Sequence, residues 1–251
     1  MVLRLLAAFI FFTRLPFWRL AEVPSDYFRN VVSRWPIVGW LTAGLSVIIL
    51  YAASLCLPGN IAVLLAIITR LLVTGCLHED GLADFFDGFG GGTSRERILA
   101  IMKDSHIGSY GVISLILYFG LLYILLESLP IAIAGSAILA GDPFSKGVSA
   151  MIINRLPYAR KEEEAKSKII YNRMNTGEYT FCLLSSVIPL FWLPRSVYFL
   201  ATLFPIAIFC LLIHFMKKKI QGYTGDCCGA TFLLCELSFY LGTTIIYNAI
   251  N

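Results

Sequence analysis

Seven long apolar runs, joined alternately by tight turns and by long basic connections, organise this chain. They are Pro36–Leu57, Ile61–Leu77, Tyr110–Leu126, Pro130–Ile153, Tyr179–Leu193, Val197–Phe215 and Ala230–Ile250. A helix that crosses a bilayer needs about 20 mostly apolar residues. The pattern therefore predicts an all-α, polytopic integral membrane protein with about seven transmembrane helices in one membrane domain. The second and fifth runs are short, so their ends are set only to within a few residues. Residues 1–17 hold a further Leu/Ala/Phe-rich stretch, but Arg4 and Arg14 flank it closely and no small-residue cleavage site follows. It reads as an amphipathic or interfacial helix that stays on the protein rather than as a cleaved signal.

Charge gives the runs a sidedness. The turns Pro58-Gly59-Asn60, Glu127-Ser128-Leu129 and Pro194-Arg195-Ser196 hold one basic residue, Arg195. Residues 1–35 hold Arg4, Arg14, Arg19, Arg29 and Arg34, and 78–107 holds Arg95, Arg97 and Lys103. Residues 154–177 hold Arg155, Arg160, Lys161, Lys166, Lys168 and Arg173, and 216–228 holds Lys217, Lys218 and Lys219. With seven spans all four segments fall on one side, which collects 17 of the 20 Lys and Arg residues. By the positive-inside rule that side is cytoplasmic.

Composition agrees. The chain is 58% hydrophobic and only 14% charged, with a mean hydropathy of +0.76, whereas soluble domains carry roughly 25% charged residues. The formal charge of +4 follows from membrane orientation and calls for no nucleic-acid partner. The seven cysteines lie mostly within apolar runs, with no C-x-x-C and no Cys/His metal spacing, and read as small core residues in a reducing compartment. Three charges fall in or near spans. Asp142 and Lys146, at i and i+4 beside Pro143, are placed to pair on one helix face. Arg70 is either a functional intramembrane group or one that snorkels to the cytoplasmic interface.

The candidate chemistry sits in His78–Gly88. Asp80, Asp84 and Asp87 stand at i, i+4 and i+7, one face of a helix, and unpaired carboxylates so close call for a divalent cation. All-oxygen ligation suits Mg²⁺ or Mn²⁺ rather than zinc, and Mg²⁺ commonly takes one or two protein carboxylates plus substrate phosphates. Glu79 is a further candidate ligand, and His78 is a ligand, a base or, as a lone His beside such a motif more often is, a hydrogen-bonding support. The alternative is a solvated acidic helix end with Gly81 and Gly88 marking turns. Gly90, Gly91 and Gly92 then form a flexible run before Thr93-Ser94-Arg95-Glu96, a Thr-x-x-Glu capping box. A glycine-rich turn entering a helix offers free N–H groups to an anion, with Arg95, Lys103, Asp104 and His106 close behind. Gly222, Thr224, Gly225 and Asp226 form a second shaped turn, in which Asp226 is either a helix cap or a site residue.

These residues carry a resemblance. His78–Gly92 (HEDGLADFFDGFGGG), Arg97–Val112 (RILAIMKDSHIGSYGV), Phe11–Phe17 (FFTRLPF), Arg155–Arg160 (RLPYAR) and Gly222–Ala230 (GYTGDCCGA) together resemble the adenosylcobinamide-GDP ribazoletransferase (cobalamin-5′-phosphate synthase) family over nearly the whole chain. The Lys-Glu-Glu-Glu run after Arg160 departs from the shorter Gly-containing turn expected there. The resemblance implies transfer of the cobinamide-phosphate moiety of adenosylcobinamide-GDP to the 5′-hydroxyl of α-ribazole or its 5′-phosphate, with release of GMP. It also implies Mg²⁺ dependence and an inner-membrane location. In that reading Asp80, Asp84 and Asp87, with Glu79 open, hold the metal. Lys103 and Arg14 or Arg34 clamp phosphate, and Asp104 or Asp226 takes the hydroxyl proton. The bilayer and both substrates are then the partners, and a homo-oligomer is left open. Two rivals remain: a CDP-alcohol phosphotransferase, whose Ala-Arg after Asp-Gly is not matched at Ala83-Asp84, and a cation transporter using Asp142, Lys146 and Arg70.

Overall fold

The computed structural model describes residues 2–160 and 169–251. Among them the chain is all-helical, with an isolated parallel bridge between Tyr158 and Tyr223 as its β feature. Lys161, Lys166, Lys168 and the departing Lys-Glu-Glu-Glu run lie outside the described residues. The helices are α1 (Val2–Phe12), α2 (Trp35–Ser54), α3 (Gly59–Thr74), α4 (Leu77–Gly91), α5 (Arg95–Lys103) and α6 (Ser109–Glu127). They continue as α7 (Ile131–Ala150), the short α8 (Ile152–Arg155), α9 (Thr176–Val187), α10 (Leu203–Ile220) and α11 (Gly225–Ile250).

Each apolar run becomes helical, yet among the described residues four helical stretches are long and apolar enough to cross a bilayer: Ser25–Ser54, Ser109–Glu127, Ser196–Ile220 and Gly225–Ile250. The bent pair α3 and α4 makes a fifth if counted as one span. The expected number of seven is therefore not reached on length and composition. α7 is rich in Gly, Ala and Ser and carries Asp142 and Lys146, and α9 gives way after Val187 to a 3₁₀ segment, Ile188–Trp192, at Pro189. Pro189 lacks the N–H that a continuing α-helix would use. Outward-facing Ile116, Leu117, Ile124, Leu203 and Leu211 are exposed, the apolar exterior expected of a lipid-facing bundle.

α11 is the central element, packed against α4, α6, α7 and α10, while α2 packs against α3 and α7. The second apolar run ends three residues early, at Thr74. There Gly75 (φ 64°) and Cys76 (φ 58°) both take the left-handed conformation, and α4 leaves α3 at 89°. Gly75 meets that demand without a Cβ penalty. Its N–H reaches Leu71 O at 2.8 Å, closing α3. The turn converts a span into a helix lying across the bundle, and that helix carries the acidic motif.

Arg70 does not snorkel. It is buried, donates through Nη2 to Tyr118 Oη at 2.7 Å and to Glu79 at 3.2 Å, and pairs through Nη1 with Glu236. Tyr240 Oη donates to Glu236 at 2.8 Å. One guanidinium thus ties α3, α4, α6 and α11 together. Asp142 and Lys146 pair on α7 as their spacing suggests; Thr42 on α2 donates to Asp142 at 2.9 Å, and the Lys146 ammonium lies 4.2 Å from the Phe232 ring centre.

Candidate active site

The acidic helix is continuous. Gly81 and Gly88 lie inside α4 rather than at turns, and Gly81 instead permits a close crossing with α11. A Cβ at Gly81 would stand 3.1 Å from the Asp226 backbone, and one at Gly229 would stand 3.2 Å from His78 O. At the start of α11 the capping role falls to Thr224, whose Oγ1 accepts from Cys227 N–H at 3.3 Å. Asp226 is consequently not the cap. It sits in the first turn of α11, where the helix dipole favours a carboxylate.

Two of the quoted motifs meet beside this crossing. Ala159 N–H donates to Tyr223 O at 2.8 Å and Tyr223 N–H to Pro157 O at 3.0 Å, so Arg155–Arg160 is held along the segment leading into α11. The result is a cavity of about 290 Å³ with two characters. Asp80, Asp226 and Arg160 give it a charged side, and Phe12, Trp35 and Tyr171 an aromatic one. Tyr158 and Arg160 also line an adjoining surface groove of about 580 Å³, together with Arg95 and Lys103. Arg160 Nη2 donates to Leu99 O at 2.8 Å, which fixes its guanidinium between the two spaces. Burial pushes the Tyr158 phenol up to about 12 and raises that of Tyr223, so both stay neutral and able to donate a hydrogen bond.

The remaining sequence-derived candidates scatter. Glu79 is buried on Arg70. Asp84 is buried on α4, one turn beyond Asp80. Asp87 accepts from Gly108 N–H at 2.6 Å and from Gly111 N–H at 2.8 Å, capping α6 from outside its own chain segment. Replacing Asp87 by Asn is expected to leave one of those N–H groups without an acceptor and to lower stability by about 1–3 kcal/mol, read as a lower thermal midpoint in detergent; an unchanged midpoint would contradict the capping role.

The glycines after Asp87 are not a loop. α4 runs through Gly90 to Gly91, where Gly90 packs on Tyr110 and Gly92 on Ile98. The next helix is capped by Ser94, which accepts from Arg97 N–H at 3.2 Å, and not by Thr93; the Thr93/Glu96 capping box does not form because the helix starts one residue later. Asp104 and His106 are exposed and 2.6 Å apart, and the imidazole holds the Asp104 carboxyl below its usual range, making it a weaker base. Neither lines the cavity. Arg34 is buried against Ser33 and the Phe181 ring. Arg14 flanks the bend at Gly75, and Gly222 lets its segment approach Pro157 and Ala159. Arg160, Tyr158, Trp35 and Tyr171 were not singled out from sequence; the signal for the first two was the RLPYAR motif itself.

Among the described residues no three His, Cys, Asp or Glu side chains form a metal cage. Magnesium does not require one, since it takes one or two carboxylates and completes its shell with water and substrate phosphate. Asp80, which is exposed and borders the cavity, and Asp84 on the same helix face fit that donor chemistry.

Fold and site together define a membrane-type helical bundle with a charged, aromatic-lined cavity at the end of its central helix. Residues 4–244 match the family described as cobalamin-5-phosphate synthase, and the chain belongs to that family. It is similar to proteins named adenosylcobinamide-GDP ribazoletransferase. One from Shewanella sp. (strain W3-18-1) is 38% identical over 244 residues, covering 96% of this chain and 93% of the relative. Another from Shewanella baltica (strain OS185) is 38% identical over 246 residues, covering 97% and 94%. A third, from Shewanella sp. (strain ANA-3), is 36% identical over 244 residues, covering 96% and 93%. No solved structure matches the chain.

Proposed function

We propose that this chain transfers the cobinamide-phosphate moiety of adenosylcobinamide-GDP to the 5′-hydroxyl of α-ribazole, or of its 5′-phosphate, and releases GMP, late in cobalamin synthesis. The observation that carries the reading is the cavity in which Asp80, Asp226 and Arg160 meet, opening beside a groove that Arg95 and Lys103 make basic. In-line displacement at phosphorus needs a positioned acceptor, charge stabilisation and somewhere for a proton to go. Arg160 is placed to hold phosphate oxygens where cavity and groove join. Asp226, across from Asp80 on a separate helix, accepts the proton of the attacking hydroxyl; among the carboxylates named as bases it is the one that lines the cavity. The residues that would hold a magnesium ion are Asp80 and Asp84, and bound there it would supply neutralisation of charge growing on the leaving phosphate.

The chain sits in the bacterial inner membrane with its N-terminus and long basic segments in the cytoplasm. The concentration of Lys and Arg in those segments supports this orientation, as it supports seven spans. The transporter alternative finds less support, because Arg70 is closed on Glu79 and Glu236 and the cavity beside Asp142 is only about 20 Å³. Protein purified in detergent and supplied with adenosylcobinamide-GDP, α-ribazole and magnesium should give a ribazole-bearing corrinoid by mass spectrometry. Product from a CDP-alcohol and a lipid acceptor, with none from the corrinoid, would overturn the proposal.

A further inference from the structure

The aromatic side of the cavity is a built surface that phosphate chemistry leaves unused. Trp35 is 1% exposed and stacks on Phe12 with ring centres 5.1 Å apart and planes 10° apart. His78, 2% exposed, stands 5.4 Å from Trp35 and 5.0 Å from Phe232. Trp35 Nε1 and His78 Nε2 are buried and have no hydrogen-bond partner. Buried polar atoms are nearly always paired, so the unpaired indole N–H of Trp35, on a residue lining this cavity, points to a ligand that completes it. We infer that the cavity formed by Phe12, Trp35, His78 and Tyr171 is the subsite for the aromatic base of the acceptor nucleoside, with the ring nitrogen of that base accepting from Trp35 Nε1–H. This rests on the reaction proposed above.

Size and polarity select the occupant. At about 290 Å³ the cavity lies near the lower end of the ~300–1,000 Å³ range of small-molecule sites, so it takes a nucleoside and not a corrinoid macrocycle. Both nucleosides of the reaction are flat. The guanine of the donor carries several donors and acceptors around its rim, and burying them against Phe12, Trp35 and Tyr171 would leave most of them unpaired, each at a cost. The benzimidazole of ribazole has one free ring nitrogen and an otherwise apolar rim, which suits stacking aromatics and few polar partners. Placed there, its ribose reaches toward Asp80 and Asp226 on the charged side, and the guanosyl group is left to the open basic groove.

The variant Trp35→Phe keeps an aromatic ring and deletes the N–H. It should raise KM for α-ribazole about 3- to 10-fold, the size of one hydrogen bond, with KM for adenosylcobinamide-GDP and kcat little changed. An indole riboside, in which a C–H replaces the free ring nitrogen, should bind the parent protein correspondingly more weakly and the Trp35→Phe protein no more weakly than α-ribazole does. Equilibrium dialysis of α-ribazole and of GMP against the detergent-solubilised protein reads binding without turnover, and a thermal melt checks that the variant is folded. A rise in KM confined to adenosylcobinamide-GDP, an unchanged KM for both, or equal discrimination against the indole riboside by both proteins would each overturn the subsite while leaving the reaction intact. Absence of ribazole-dependent product from the parent protein would instead overturn the reaction, and dialysis would still decide the subsite.

Discussion

Replacing Asp80 by asparagine is expected to cut turnover about 100- to 1,000-fold with almost no loss of stability. The size is that of losing one group on which stabilisation of charge at a reacting phosphate depends, here a carboxylate that would hold magnesium beside it. The stability half follows from exposure: Asp80 borders the cavity on the open side of α4, and substitutions at such positions usually fall within about 0.5 kcal/mol. Asp226→Asn should lose activity comparably. It should also lose about 0.3–1 kcal/mol of stability, because its carboxylate lies in the first turn of α11. Steady-state kinetics alongside thermal melts separate the two effects. An Asp80→Asn protein with near-parental turnover would remove the acidic helix from the chemistry.

Arg70→Met should produce the largest structural effect, a loss of about 3–5 kcal/mol. The guanidinium is buried between Glu79 and Glu236, and both carboxylates would be left without their counter-charge. Lysine should restore only part of the loss, since a single ammonium cannot reach Glu79, Glu236 and Tyr118 with the fork that Arg70 uses. Adding Glu236→Gln to Arg70→Met should recover stability by removing one stranded charge. Denaturant or thermal unfolding in a fixed detergent measures the series. If Arg70→Met melts with the parent, or the second substitution lowers stability further, the four-helix tie is not what holds α4 in place.

The apolar runs were legible because burial and lipid contact both demand hydrophobic residues over helical lengths, and every run does become helical. Their ends were less so. The run through Leu77 carries no charge after Arg70, yet the chain turns at Gly75 and Cys76 because backbone conformation, not hydropathy, ends α3. Pro189 shortens α9 in the same local way. In the site, the i, i+4, i+7 spacing did place Asp80, Asp84 and Asp87 on one helix. Their partners could not be read from spacing, since Asp87 is engaged by backbone N–H groups more than 20 residues later. Glycines were the most misleading signal. Gly81 and Gly90–Gly92 suggested turns and an anion loop, but a residue without a side chain serves close helix crossing equally well. Trp35 and Tyr171 were invisible as site residues because both lie in segments that read as basic connections, and only folding brings them together beside α4 and α11.

The most direct measurement is GMP release from adenosylcobinamide-GDP by the purified protein, with and without α-ribazole. The expected result is one GMP per ribazole incorporated, dependent on magnesium and all but lost in Asp80→Asn. GMP release that ignores α-ribazole, or that survives in Asp80→Asn at the parental rate, would contradict a ribazole transfer centred on the acidic helix.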